Sequence, residues 1–121
     1  MPHARRKLGD AGEEAAARFL VARGYVVLAR NYRCSAGEID LVCRDGETLV
    51  FVEVKTRRGG AYGLPEEAVT ARKLARLAAA GQHYLQGQSP ETDWRIDVVA
   101  IELDPSGKLI EVRLIVGAEA G

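Results

Sequence analysis

Two apolar stretches, Gly37-Glu38-Ile39-Asp40-Leu41-Val42 and Leu49-Val50-Phe51-Val52-Glu53-Val54-Lys55, flank the pair Asp45-Gly46. Their β-branched content and the Asp-Gly pair predict a hairpin with strands over roughly 38–44 and 48–56. Strands this apolar belong inside a fold, yet Asp40, Glu53 and Lys55 are set into them. An unpaired charge there is costly, so the three groups must answer one another or a ligand. Loop length decides which side chains share a face. A two-residue turn at Asp45-Gly46 sets Asp40 opposite Phe51 and diagonal to Glu53, and a four-residue loop sets it directly opposite Glu53. Either even-length loop puts Asp40, Glu53 and Lys55 on one face, and an odd loop without a bulge separates them. Two carboxylates sharing a face suit a hard cation, Mg²⁺ or Mn²⁺, and the lysine beside them suits phosphodiester hydrolysis. The plainer alternative is an Asp40–Lys55 ion pair on an exposed face, with Glu53 solvated. Phe51, Val52 and Val54 around Glu53 argue against it. Glu38 shares the face of Asp40, but a carboxylate at a strand start is more often solvated.

The chain has 121 residues, enough for one domain with a core (1–121) and too few for two. Seventeen Lys and Arg balance seventeen Asp and Glu, so overall charge does not announce a nucleic-acid partner. Its distribution is uneven. Residues 1–80 carry a net +4 and residues 81–121 a net −4, and the basic part holds the hairpin. Cys34 and Cys43 have no zinc-type spacing, and Cys43 reads as a small buried hydrophobe. Neither a signal peptide nor a stretch of membrane-spanning length is legible, which makes a reduced cytoplasmic setting the expectation. His3 and His83 lie away from the motif and read as structural or surface residues.

Asp10-Ala11-Gly12-Glu13 resembles a capping box, predicting a helix from about residue 11 to 23 that ends at Gly24. Tyr25 to Arg30 predicts a strand, and Asn31 to Ala36 a polar connection. After the hairpin, Arg57 to Gly63 reads as a glycine-rich basic loop. Pro65 opens a helical pattern running to about Gly87, with a break and a candidate N-cap at Thr70. Trp94 to Leu103 and Leu109 to Val116 predict two more strands around Asp104-Pro105-Ser106-Gly107. The order is α-β-β-β-α-β-β, an α/β fold with a mixed sheet between helices. The last strand has one apolar face and reads as a sheet edge, able to cover the core or to meet a second copy.

An Asp, a dozen residues, then Glu-x-Lys resembles the PD-(D/E)xK nuclease superfamily. The fuller set is more specific. Gly37-Glu38-Ile39-Asp40-Leu41 with Val50-Phe51-Val52-Glu53-Val54-Lys55-Thr56-Arg57 resembles the YraN-type bacterial family, which is similar to archaeal Holliday-junction resolvases. Gly12-Glu13, Arg30-Asn31-Tyr32-Arg33, Tyr62-Gly63, Val69 with Lys73, and Arg95 with Asp97-Val98-Val99-Ala100 extend it over nearly the whole chain. The resemblance implies a restriction-endonuclease-like core and a further site carboxylate from the first helix, which falls on Glu13, with Glu14 as the alternative. Sequence spacing alone would not select Glu13.

On this reading Asp40 and Glu53 bind the metal, with the Val54 carbonyl and Glu13 as further ligands. Lys55 orients water or stabilises the transition state. Arg57, Arg58 and Lys73 hold flanking phosphates, Arg72 and Arg76 extend that track, and Tyr62 stacks on a base or sugar. The expected activity is metal-dependent endonucleolytic cleavage of DNA, branched or otherwise structured. A homodimer would supply two sites for a symmetric junction. The alternatives are a nuclease-fold module that binds nucleic acid without cutting it, and an interaction protein whose acids form ion pairs.

Overall fold

A computed structural model describes residues 3–59 and 63–118, with side chains from residue 11 onward. In chain order the elements are α1 (His3–Ala22), β1 (Val26–Cys34), β2 (Gly37–Asp45), β3 (Thr48–Arg58), a 3₁₀ turn (Pro65–Ala68), α2 (Ala71–Leu85), β4 (Trp94–Leu103) and β5 (Leu109–Ile115). The strands form one sheet in the order β1-β2-β3-β4-β5. Only β3 and β4 run parallel, because α2 lies between them in the chain and carries it back across the sheet. Ala16, Ala17 and Leu20 of α1 cover one face over Leu41, Cys43, Val50, Val52, Val99 and Ile101. Leu74, Leu77 and Ala80 of α2 cover the other, over Ile39, Val42, Phe51, Ile96 and Val98. This α/β/α layering is the predicted class. Among the described residues, no helix is long and apolar enough to cross a membrane.

Three local expectations are corrected. The first helix starts at His3 rather than near residue 11, so Asp10 to Glu13 lie inside it and form no capping box. Ala4 to Leu8 are mostly good helix formers and extend it backwards. Gly12 serves close packing instead: a Cβ there would fall 2.2 Å from Thr56 Oγ1. Second, residues 31–34 belong to β1 rather than to a loop. Their polar side chains are tolerated because β1 is an edge strand, and Cys34 pairs with Gly37. Third, the β2–β3 turn is Gly46-Glu47, not Asp45-Gly46. Asp45 pairs with Thr48, and Gly46 takes φ +61°. That later turn selects the register in which the line of pairs leads to Asp40 opposite Glu53. Pro65 opens its turn as expected, and Thr70 Oγ1 accepts from Lys73 N at 3.2 Å to cap α2.

Candidate active site

Asp40 sits where regular pairing of β2 with β3 stops. The last matched pair is Leu41 with Val52. Beyond it, Val54 N–H donates to Asp40 Oδ2 at 2.8 Å. The face alternation of β2 breaks at the same place. Ile39 and Leu41 are two residues apart, yet they pack in opposite core layers. The neighbouring strand switches too: Ala29 and Tyr32 share the α2 layer across Asn31, whose φ is +51°. Asn31 is exposed and Asp40 half-buried. The interruption turns the Asp40 carboxylate onto the backbone of β3, beside Glu53.

Glu53 and Lys55 follow Phe51 by twos along β3 and therefore face α2. Both are half-buried. Burial, followed by hydrogen bonding to Asp40 and repulsion from its charge, pushes the Glu53 carboxyl up to about 8. The two carboxyl groups are thus close enough to share a proton or a cation. Lys55 is shifted down from its ordinary value, first by burial and then by its neighbour Lys73, against the opposing pull of Glu53 and Asp40. The predicted trio is together, and Lys73 of α2 joins it.

A cavity of about 450 Å³ is lined by Glu53 and Lys73 of this group. The β1–β2 hairpin contributes Arg33, Cys34 and Glu38 to its walls, α2 contributes Lys73, Arg76 and Leu77, and the sheet contributes Glu53. Lys73, Arg76 and Leu77 stand at i, i+3 and i+4, the spacing that puts side chains on one helix face. That signal was available in the sequence and would have separated Arg76 from Arg72, which is not on the lining. Nothing comparable points to Arg33 and Cys34, which reach the cavity only because β1 extends to Cys34. Glu38 is paired with Arg33 at 3.1 Å across the β1–β2 hairpin.

Glu13, Arg57 and Arg58 are not among the residues lining the cavity. Glu13 is half-buried on α1, next to the Gly12–Thr56 contact. Among the described residues, no three His, Cys, Asp or Glu side chains gather as a metal-holding group. Arg57 is half-buried near the end of β3. Arg58 donates through Nε to the Pro105 carbonyl at 3.0 Å, which draws it to the β4–β5 turn. Tyr62 lies outside the described residues. His83 bonds the Tyr32 hydroxyl through Nδ1 at 2.7 Å, a structural role in line with expectation. Asp97 is fully buried and takes Tyr25 Oη (2.7 Å), Arg95 Nε (3.0 Å) and Gly117 N–H (3.0 Å), so it is a structural anchor.

The donor set can be tested against a divalent ion. Asp40 and Glu53 offer oxygen only, and a small hard cation commonly uses one or two carboxylates while keeping several waters. A single residue's N–H and C=O point to the same side of an extended strand, so the Val54 carbonyl faces the side on which its N–H meets Asp40. The residues fit Mg²⁺ or Mn²⁺.

Comparison with known proteins adds a family. The model of the family described as "Uncharacterised protein family UPF0102" matches residues 12–101. The UPF0102 protein of Symbiobacterium thermophilum is 55% identical over 115 residues, covering 93% of this chain and 96% of its own length. The relative from Roseiflexus castenholzii is 54% identical over 101 residues, 82% of each chain. The one from Caldicellulosiruptor saccharolyticus is 40% identical over 115 residues, 94% of this chain and 98% of its own.

Proposed function

We propose that this chain, which belongs to the UPF0102 family, is a divalent-metal-dependent endonuclease-like protein that hydrolyses phosphodiester bonds in branched or otherwise structured DNA. The observation that carries the reading is the Asp40 carboxylate held on the Val54 N–H beside Glu53, with Glu53 itself lining a cavity walled by Arg33, Lys73 and Arg76. Two acids that repel one another, held together by the end of a strand ladder, are a poor way to stabilise a fold and a good way to hold a cation.

Asp40 and Glu53 hold the ion, with the Val54 carbonyl available on the same side. When bound, the ion lowers the pKa of nearby water and offsets charge on the phosphate. The Val54 N–H keeps the Asp40 carboxylate aimed. Lys55 meets the charge that builds on the phosphoryl oxygens as the water oxygen bonds to phosphorus and the ester P–O bond breaks. Lys73, with Arg57 and Arg58 further along, neutralises adjacent phosphates. A homodimer would give a two-fold substrate two sites, and β5 offers an edge that exposes Leu109 and Ile110.

The test is a cleavage panel in Mg²⁺ or Mn²⁺ over duplex, single-stranded, flapped and four-way-junction DNA. Cutting should occur with wild type and vanish with Asp40→Asn, Glu53→Gln and in chelator. Binding without cutting by any substrate would leave the non-cleaving module. Absence of cutting, of ion binding at millimolar metal and of DNA binding would remove the nucleic-acid reading.

A further inference from the structure

The cavity is a recess, and its shape bears on which DNA enters it. Its volume, about 450 Å³, is that of a small-molecule pocket. One wall is the end of the β1–β2 hairpin and the other is the first two turns of α2. Glu53 lies half-buried between them. Duplex DNA is stiff over about 150 base pairs and holds each nucleotide stacked, so it does not fold one residue into a recess of this size. An unpaired strand bends freely and presents sugar, base and phosphate together.

The lining matches those three parts. Leu77 and Cys34 are its least polar lining residues, suited to a sugar or base face. Lys73 and Arg76 are exposed cations on one helix face, suited to phosphate. Arg33 completes the arc from the opposite wall. Its bond to Glu38 is no obstacle, since the two side chains are 74% and 56% exposed and such pairs contribute little.

We propose that this recess is a binding site for one unpaired nucleotide of the DNA substrate, with Arg33 and Arg76 gripping the phosphate next to the scissile one. Arg33 and Arg76 are then specificity-determining residues that select unpaired over duplex DNA. The inference rests on the function proposed above. It moves the selective contacts from the end of β3 to the slot between the hairpin and α2.

Cys34 is a built-in reporter. Cys43 is fully buried with its thiol pushed up to about 11, so a thiol reagent reads Cys34. The experiment uses the whole chain in Ca²⁺ to suppress cutting. Binding and the rate of maleimide labelling of Cys34 are measured with a blunt duplex and with the same duplex carrying a short unpaired flap. The flap should bind about tenfold tighter and slow labelling by about tenfold, against little protection by the duplex. Arg33→Ala with Arg76→Ala should erase both differences, whereas Lys108→Ala, an exposed cation on the β4–β5 turn, should erase neither. Equal affinity for the two DNAs, or tight flap binding that leaves Cys34 fully reactive, overturns the recess as a nucleotide site; retained metal-dependent cutting would then keep the wider function. No binding of any DNA at low salt overturns both.

Discussion

Glu53 shows what a single side chain can be made to report. Its carboxyl is held up to about 8, first by burial and then by Asp40. In the folded protein it keeps a proton at pH values where an unfolded glutamate, near 4.5, has lost it. That proton's contribution to stability is therefore fully present below about 4.5 and lost as pH rises through about 8. A cation competes with the same proton. Ion affinity should rise with pH up to about 8, and calorimetry in buffers of different ionisation enthalpy should find close to one proton released per ion at about pH 6, fading above that range. Proton release independent of pH would mean that Glu53 is not a ligand. Glu53→Gln should keep the fold and lose ion binding, with a melting midpoint in chelator at pH about 9 no lower than wild type, because it removes an ionisation the fold resists. Asp97 behaves in the opposite way. It is as deeply set as any core residue but fully partnered, and Asp97→Ala leaves Arg95 half-buried beside Asp45 with its main acceptor gone. A loss of about 3–5 kcal/mol in denaturant unfolding is expected. Both residues read as charges in apolar strands, and only their partners tell a working acid from a structural one. Among the partners of Asp97, Arg95 lies two residues away on the same strand, but Tyr25 and Gly117 are remote in the chain and no sequence period announces them.

At the scale of elements, the hairpin and its parity were legible and its turn was not. Asp-Gly is the stronger turn signal, yet the chain turns at Gly46-Glu47, because Gly46 supplies the positive φ in the first turn position. Parity survived because both turns are two residues long. The face switch at Asn31 and Asp40 was invisible, since alternation is read along one strand and here two adjacent strands change face together. The helix–sheet contacts were also hidden. α2 approaches the sheet at Gly81, where a Cβ would lie 2.5 Å from the Phe51 ring, and α1 does so at Gly12 against Thr56. Neither contact leaves room for a methyl. Gly81→Ala must shift α2 or tilt Phe51, and overpacking of this kind costs about 1–3 kcal/mol. The displacement would be felt at Lys73, Arg76 and Leu77, which α2 presents to the cavity. DNA affinity of Gly81→Ala should therefore fall by more than its ion affinity, since Asp40 and Glu53 belong to the sheet. Equal losses would indicate global unfolding rather than movement of α2, and a melting curve taken alongside distinguishes them.

For the molecule as a whole, a zero net charge conceals a division that the fold turns into a surface. The basic part, residues 1–80, supplies Arg33, Lys55, Lys73 and Arg76 to the site. The acidic part supplies β4 and β5, where Glu102 and Glu111, with Glu66 from the 3₁₀ turn, are gathered onto Arg113. Arg113 offsets one of those three negative charges, so the cluster opposes an incoming polyanion somewhat less than its number of acids suggests. Lys108 aside, the cations around the recess carry the attraction. DNA binding should accordingly be mainly electrostatic and steeply dependent on salt, with log K falling by about 0.7–0.9 per log unit of salt for each phosphate neutralised. Replacing Arg57, Arg58 and Lys73 by alanine should flatten that slope by about one unit for each phosphate left without its cation. The three cations are not equivalent in the fold. Lys73 stands at the recess, whereas Arg58 is committed to the Pro105 carbonyl. Most of the flattening should therefore come with Lys73→Ala alone, and Arg58→Ala should contribute least. Lys55→Ala should behave differently again, abolishing cleavage while leaving the slope nearly intact, because its work falls in the transition state. A salt series of binding isotherms in Ca²⁺ for wild type, the single variants and the triple variant checks all of this, and equal slopes throughout would put the binding surface on another face of the sheet.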